Sequence, residues 1–266
     1  MTTNIHGDTA DLLELALEAA RLAGGMLTVD RPADLGVAAT KSSPTDVVTE
    51  MDTRAEKLIV EFLRARRPHD GFLGEEGAGE AGESGVRWVI DPIDGTVNYL
   101  YGLPGWCVSI AAEDEHGGIV GVVEVPTFGE TFHAVRGGGA FRNGAPIRAA
   151  APVPLDRALV ATGFGYTAER RTRQAAVVAE LLPGIRDIRR FGSAAADLCA
   201  VACGWVNAYY ERGLNPWDLA AGAVIASEAG AEVAQIRAED DGSNVVVAAA
   251  ATLHGELVAV LERLGA

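Results

Sequence analysis

The stretch that most constrains this chain is Arg87-Trp-Val-Ile-Asp-Pro-Ile-Asp-Gly-Thr-Val-Asn-Tyr99. Trp88, Val89 and Ile90 make a short apolar run that stops at Asp91 and Pro92. Proline cannot donate to a sheet ladder, so the strand is expected to end there. Asp94 follows, with Gly95 and Thr96 directly after it. Two carboxylates at the end of a buried strand are costly unless something neutralises them. A divalent cation with oxygen ligands does so naturally. Asp-Pro and Asp-Gly taken singly are also common turn dipeptides. The cation reading therefore rests on the whole run and on the partners identified below.

Composition sharpens the question. Of 266 residues, 48% are hydrophobic and 22% charged, enough core for one large or two medium domains. The net charge is -15 and the pI about 4.7, which disfavours nucleic acid and anionic membrane as partners. An acidic protein can still hold an anionic substrate if bound cations reverse the sign of its site. The three cysteines, Cys107, Cys199 and Cys203, suggest no disulfide framework. Cys199 and Cys203 lie four apart on an expected helix without a second pair of soft ligands, so packing is favoured over zinc. No basic segment leading into an apolar stretch opens the chain, and no apolar run reaches about 18 residues. A reducing cytoplasm is the expected location.

Periodicity predicts a helix over 8–29, capped by Asp8 or Thr9 and carrying Gly24-Gly25. A polar turn at 41–46 leads to a second helix over 53–66, capped by Asp52 or Thr53, with Glu56 near the capping-box position. A short strand ends at Glu75-Glu76, followed by a mobile Gly/Glu-rich loop over 78–85. Strands at 108–111, 118–125 and 131–135, with an Asn143-Gly144 turn, predict an antiparallel meander. Pro152 and Pro154 mark a junction near residue 150, so the expected domains are 1–150 and 151–266. Beyond it, strands are expected at 158–162, 186–191, 206–210, 232–236 and 245–249. Helices are expected at 167–182, 193–203, 215–230 and 254–264. Strands alternating with helices indicate an α/β or layered α+β class.

Four carboxylates stand out: Glu75, Asp91, Asp94 and Asp218. Each follows an apolar or aromatic run, or opens a helix, beside Gly or Pro. Magnesium wants such hard oxygen ligands, and the absence of His and Cys from the set argues against zinc or copper. The Ile93 carbonyl is a further possible ligand. Shared carboxylates suit two-metal phosphoryl chemistry. A helix starting at Gly95-Thr96 would offer free N–H groups to a phosphate. No Ser, Cys or His lies in a recognisable nucleophile motif, and the histidines at 6, 69, 116, 133 and 254 receive no role. Glu76 reads as a solvated neighbour, Trp217 as packing, Tyr209 and Tyr210 as strand residues, and Gly137-Gly-Gly as a turn.

Asp91-Pro-Ile-Asp-Gly-Thr-Val-Asn-Tyr and Asn215-Pro-Trp-Asp-Leu-Ala-Ala-Gly resemble the two signatures of the inositol monophosphatase family. Lys41-Ser-Ser-Pro-Thr-Asp, Gly74-Glu-Glu, Gly192-Ser-Ala-Ala and Ala208-Tyr-Tyr-Glu stand in family order at suitable spacing, so the resemblance covers nearly the whole chain. It is nearest to the bacterial SuhB-type branch. The resemblance implies a five-layer αβαβα sandwich and a magnesium-dependent, often lithium-sensitive homodimer of inositol metabolism. Its substrate would be a small phosphorylated polyol, myo-inositol monophosphate, attacked directly by a metal-activated water. It further implies that Glu75, Asp91 and the Ile93 carbonyl hold one Mg2+, that Asp91, Asp94 and Asp218 hold a second, and that Glu75 with waters holds a third. Glu75 and Thr96, with Asp52 behind Thr96, would activate the water. Lys41 would lie near the third ion, Gly95 and Thr96 would bind phosphate, and Gly192, Ser193, Ala194 and Glu211 would bind the polyol. The rival enzymes share the metal motifs: histidinol-phosphate, fructose-1,6-bisphosphate and 3'-phosphoadenosine-5'-phosphate phosphatases. A regulatory binding protein that keeps the fold is the rival from another class.

Overall fold

The computed structural model describes residues 5–237 and 243–266. The first half begins with α1 (Ile5–Val29), the hairpin β1 (Ala39–Thr40) and β2 (Val47–Val48), and α2 (Glu50–Arg66). It continues through β3 (Gly71–Gly74), β4 (Gly79–Glu80), β5 (Arg87–Asp94) and the short α3 (Thr96–Tyr101). The meander follows as β6 (Cys107–Asp114), β7 (Gly117–Val125), β8 (Glu130–Val135), β9 (Gly139–Arg142) and β10 (Ala145–Ile147). The second half runs β11 (Leu159–Thr162), α4 (Ala168–Leu181), β12 (Asp187–Arg189), α5 (Ala194–Ala202) and β13 (Ala208–Arg212). It closes with α6 (Pro216–Glu228), β14 (Glu232–Arg237), β15 (Asn244–Ala249) and α7 (Ala251–Leu264).

Two sheets organise these elements. One has eight strands in the order β10-β9-β8-β7-β6-β5-β3-β4, antiparallel except where β3 lies parallel to β5. The other has five, β12-β11-β13-β15-β14, with its first three strands parallel. Helices α1 and α2 pack on the outer face of the large sheet. Helices α5 and α6 fill the space between the sheets. Helices α4 and α7 cover the outer face of the small sheet. The result is the expected five-layer αβαβα sandwich.

Strand β5 shows how the sequence produces this. Side chains alternate across a strand. Trp88 and Ile90 face α1 and α2, while Val89 faces α5 and α6. Trp88, Val89 and Ile90 are almost wholly buried, and each contributes about 1.5–3 kcal/mol by leaving water. The same alternation turns Asp91 toward the middle layer, where α6 delivers Asp218. At the hairpin joining β9 to β10, Asn143 has φ 50° and Gly144 φ 77°, as a type I′ turn requires.

Several local expectations need correcting. Strand β5 does not stop at Pro92 but runs to Asp94, because a register shift between Asp91 and Asp94 removes the need for the missing N–H. Helix α1 starts at Ile5, so Asp8 and Thr9 lie inside it, and it passes unbroken through Gly24-Gly25. A Cβ on Gly24 would come within 2.9 Å of the Pro126 ring, so close packing accounts for that residue. Helix α2 is capped by Thr49, one turn earlier than Asp52 or Thr53, and Asp52 is the third helical residue of the capping box. Within 78–85, Gly79–Glu80 pairs with β3, and Glu80 bonds Arg64 at 2.7 Å.

Candidate metal and phosphate site

Asp91 leaves the bulged end of β5 and accepts the Ile93 N–H at 3.0 Å. Asp94 closes the same strand. Its Oδ2 accepts the Ser193 hydroxyl at 2.8 Å and the Ala195 N–H at 2.7 Å, both from the start of α5. Asp218 is the third residue of α6, and its carboxylate accepts the Asn215 N–H at 2.7 Å in a capping box. Residues far apart in sequence thus converge: carboxylate oxygens of Asp91, Asp94 and Asp218 all lie within 4.8 Å of one another.

Glu75 enters from the end of β3, where its N–H bonds the Ile90 carbonyl of β5 at 3.2 Å. Lys41, from the β1–β2 hairpin, donates to Glu75 at 2.9 Å and to Glu76 at 2.6 Å. Glu76 is therefore not a solvated neighbour: its side chain is only 9% exposed and neutralises the same ammonium. Burial works against the Lys41 charge, but the two carboxylates outweigh it and its pKa is raised. Glu56, assigned to a capping box by spacing, instead accepts the Glu76 N–H at 2.8 Å and the Ala78 N–H at 2.9 Å. It fixes the turn that carries Glu75.

Asp52 lies under this cluster. Its Oδ2 accepts the Thr49 N–H and hydroxyl at 2.8 and 2.6 Å, and its Oδ1 faces the Thr96 hydroxyl at 3.2 Å. Thr96 also reaches the Ile93 carbonyl at 3.0 Å. Gly95 makes the turn into α3 with φ 94°, a conformation that costs glycine nothing. Across the cavity, Tyr209 donates to Glu211 at 2.7 Å. Gly192, Ser193 and Ala194 line the same wall. The Ser193 hydroxyl is committed to Asp94 and to capping α5, where it accepts the Ala196 N–H at 3.1 Å. The three aspartates, Glu75, Lys41, Thr96 and Glu211 border one cavity of about 430 Å³, whereas Asp52, Glu56, Glu76 and Tyr209 support them from behind its wall.

The electrostatics show what this cavity lacks. Burial, then repulsion from Glu75, Asp94 and Asp218, pushes Asp91 well above the usual carboxylate range. Burial and Asp94 do the same to Asp218. Burial raises Asp94 to about 6 despite its two donors, Asp52 to about 6, and Glu211 to about 7. Three mutually repelling carboxylates with facing oxygens fit a hard divalent cation, which would reverse each shift. No His or Cys belongs to the cluster, so the donor set suits magnesium or manganese rather than zinc.

The other residues fall outside the cluster. His69, His116, His133 and His254 do not line the cavity, and the His6 side chain lies outside the described residues. The three cysteines are unpaired. Trp217 packs against the central core and also borders the cavity. Gly137-Gly-Gly is a turn, with two of its N–H groups bound by Glu228. Sequence reasoning gave Glu56 only a capping role and did not assign Tyr166, Arg170 or Arg190 to the site. Tyr166, Arg170 and Arg190 line the cavity. The two arginines sit in basic runs of ordinary surface character, and no local pattern separates them from their neighbours.

Fold and site together define a class: layered α/β proteins whose oxygen-ligand cation site opens into a polar cavity. The inositol monophosphatase family model matches residues 8–266, and the chain belongs to that family. It is 44% identical over 239 residues to the inositol-1-monophosphatase of Mycobacterium leprae, covering 86% of this chain and 82% of that one. It is 39% identical over 221 residues to the Nus factor SuhB of Escherichia coli, covering 82% and 83%. The solved extragenic suppressor protein suhB of Bartonella henselae superposes with a TM-score of 0.86 at 33% identity, covering 94% and 98%.

Proposed function

We propose that this protein is a magnesium-dependent phosphomonoesterase that hydrolyses myo-inositol monophosphate to inositol and phosphate. One observation carries the reading: Asp91, Asp94 and Asp218 present oxygens within 4.8 Å of one another on the wall of a cavity large enough for a small phosphate ester. The similarity to the Mycobacterium leprae inositol-1-monophosphatase supports the choice of substrate.

Glu75, Asp91 and the Ile93 carbonyl would hold one cation, Asp91, Asp94 and Asp218 a second, and Glu75 a third beside Lys41. Bound divalent cations supply Lewis acidity, which eases deprotonation of water and stabilises the departing alkoxide. The chain itself does the orienting. The Thr96 hydroxyl donates to Asp52 or to the Ile93 carbonyl, so its oxygen lone pairs are free to accept a hydrogen bond from an attacking water. Glu75 would take that water's proton. The N–H groups of Gly95 and Thr96 bind phosphate. Gly192, Ser193, Ala194 and Glu211 face the polyol, with Ser193 offering backbone because its hydroxyl is engaged.

Arg170 and Arg190 on the cavity wall disfavour histidinol phosphate, whose alcohol half is cationic. A homodimer is part of the same reading. Exposed Phe128, Phe191 and Trp205 line an apolar groove of about 640 Å³, a face suited to a second copy. Lithium inhibition, a cytoplasmic location and a division into domains 1–150 and 151–266 belong to it as well. No helix among the described residues is long and apolar enough to cross a membrane. A second reading, a protein-binding role in transcription, is favoured by the similarity to the relative named Nus factor SuhB.

The test is phosphate release from inositol 1-phosphate against magnesium concentration, with histidinol phosphate and fructose 1,6-bisphosphate alongside. Magnesium-dependent release from inositol 1-phosphate is expected. Faster release from histidinol phosphate, or none from any ester, would overturn the reading.

A further inference from the structure

The phosphate side and the polyol side of the cavity come from different halves of the chain, and they meet at two glycines. A Cβ on Gly95 would lie 3.0 Å from the Gly192 carbonyl oxygen and 3.4 Å from the Ser193 Cβ, so the turn into α3 packs directly on the turn into α5. After Gly192 the second turn is anchored twice, because the Ser193 hydroxyl and the Ala195 N–H both donate to Asp94. Before Ser193 it is held at one point. Strand β12 ends at Arg189, and among the described residues a single hydrogen bond reaches Phe191 or Gly192. It runs from Asn98 Nδ2 to the Phe191 carbonyl at 2.8 Å. A carbonyl oxygen only accepts, which fixes the amide with its nitrogen toward Phe191.

Asn98 is itself firmly placed. It is the third residue of α3, and its own carbonyl accepts the Leu103 N–H at 2.8 Å just beyond that helix. Its side chain fills the space that Gly192 leaves: a Cβ there would lie 2.8 Å from Asn98 Nδ2 and 3.1 Å from Oδ1. Gly192 also has φ 101°, which glycine adopts freely. Asn98 is half-buried and does not border the cavity, so any effect it has on substrate passes through Phe191 and Gly192.

We propose that Asn98 is a positioning residue that fixes the span between the phosphate-binding turn at Gly95-Thr96 and the polyol-facing segment at Gly192-Ser193-Ala194. The proposal rests on the phosphomonoesterase reading above and deepens it at the residue that ties the two sides together. An ester gripped at both ends needs that span constant, because small misplacements of a binding group are costly in rate. Without the strut, Phe191 and Gly192 lose their one tether, and the loss falls on the hydroxyls of the alcohol half rather than on the phosphate.

Two esters separate these sides: inositol 1-phosphate, and p-nitrophenyl phosphate, whose aryl ring has no hydroxyl to offer the polyol wall. Asn98→Leu keeps the branched shape and removes the donor, and Asn98→Ala removes both. With the intact protein at saturating magnesium, the ratio of kcat/KM for the inositol ester to that for the aryl ester should fall about fivefold in Asn98→Leu. That is the factor given by one neutral hydrogen bond of about 1 kcal/mol. The fall should come mainly from a raised KM for inositol 1-phosphate, and Asn98→Ala should lower the ratio at least as far. A ratio in Asn98→Leu equal to that of the parent would overturn the proposal, whatever the alanine variant does. So would an equal loss on both esters, since that marks a side chain needed only for the fold. If the parent itself releases no phosphate from inositol 1-phosphate, the phosphomonoesterase reading fails first.

Discussion

Replacing Ser193 with alanine removes one hydroxyl that serves two partners. It donates to Asp94 at 2.8 Å and, as the cap of α5, accepts the Ala196 N–H at 3.1 Å. Losing such a cap costs about 1 kcal/mol. Losing a hydrogen bond to a charged group costs about 1.5–3 kcal/mol. The two bonds share one oxygen and are not additive, so a total of about 2–3 kcal/mol is expected. In a chain of this size each kcal/mol moves Tm by about 2–4 °C, which predicts a fall of roughly 5–10 °C without metal. A second effect acts through Asp94. Burial raises its pKa to about 6, and the Ala195 N–H and Ser193 hydroxyl hold it from going higher. Without Ser193 the pKa rises further and protons compete better with a cation. Loss of a partner behind a metal ligand weakens affinity about 10–100-fold. The assay is calorimetric unfolding in EDTA, paired with a magnesium titration followed by tryptophan fluorescence, since Trp217 precedes Asp218. A Tm within about 1 °C of the parent, with the magnesium midpoint unmoved, would refute this reasoning.

Further expectations concern the same cluster. Asp91→Asn should lower turnover at least about a hundredfold at saturating magnesium, because that carboxylate is shared between two proposed cation positions; phosphate release near the parent rate would remove Asp91 from the assignment. Glu56→Gln replaces an acceptor of two backbone N–H groups with an amide that can accept only one of them in place. It should cost about 1–3 kcal/mol and weaken magnesium binding through the displaced Glu75 turn, measured by urea unfolding and by the fluorescence titration. The pH dependence of the metal-free protein has a definite sign. Asp52 and Asp94 near 6 and Glu211 near 7 bind protons more tightly folded than unfolded. Stability in EDTA should therefore be greatest near about pH 4 and fall as pH rises through 6 to 7, the reverse of an ordinary salt-bridged carboxylate. Urea midpoints that rise over that range would contradict the assigned environments.

Much of this arrangement was legible because it rests on local periodicity. The apolar run at 88–90 required a buried strand with Asp91 and Asp94 toward its end. The Asn215-Pro-Trp-Asp sequence announced a capped helix start, and the Asn143-Gly144 turn announced its hairpin. What was missed depends on contacts across the fold. Pro92 continues the strand because a register shift absorbs it, and register is a property of the pair with β6. Asp52 and Glu56 have the spacing of cap residues for a helix starting at 53. With the observed start at Glu50, Asp52 stays in the capping box while also facing Thr96, and only Glu56 leaves the cap, to anchor the Glu75 turn. Arg170 and Arg190 acquire a role only because α4 and the segment after β12 meet at one cavity, which no local pattern encodes.

The central claim is that Asp91, Asp94 and Asp218 share a bound divalent cation. Crystals grown with Mn2+, an anomalous scatterer that takes the same oxygen ligands, test it most directly. The account predicts an anomalous peak within about 2.0–2.3 Å of carboxylate oxygens from all three residues. A manganese-saturated crystal without a peak there, or with one that the Asp218 carboxylate does not touch, would contradict it.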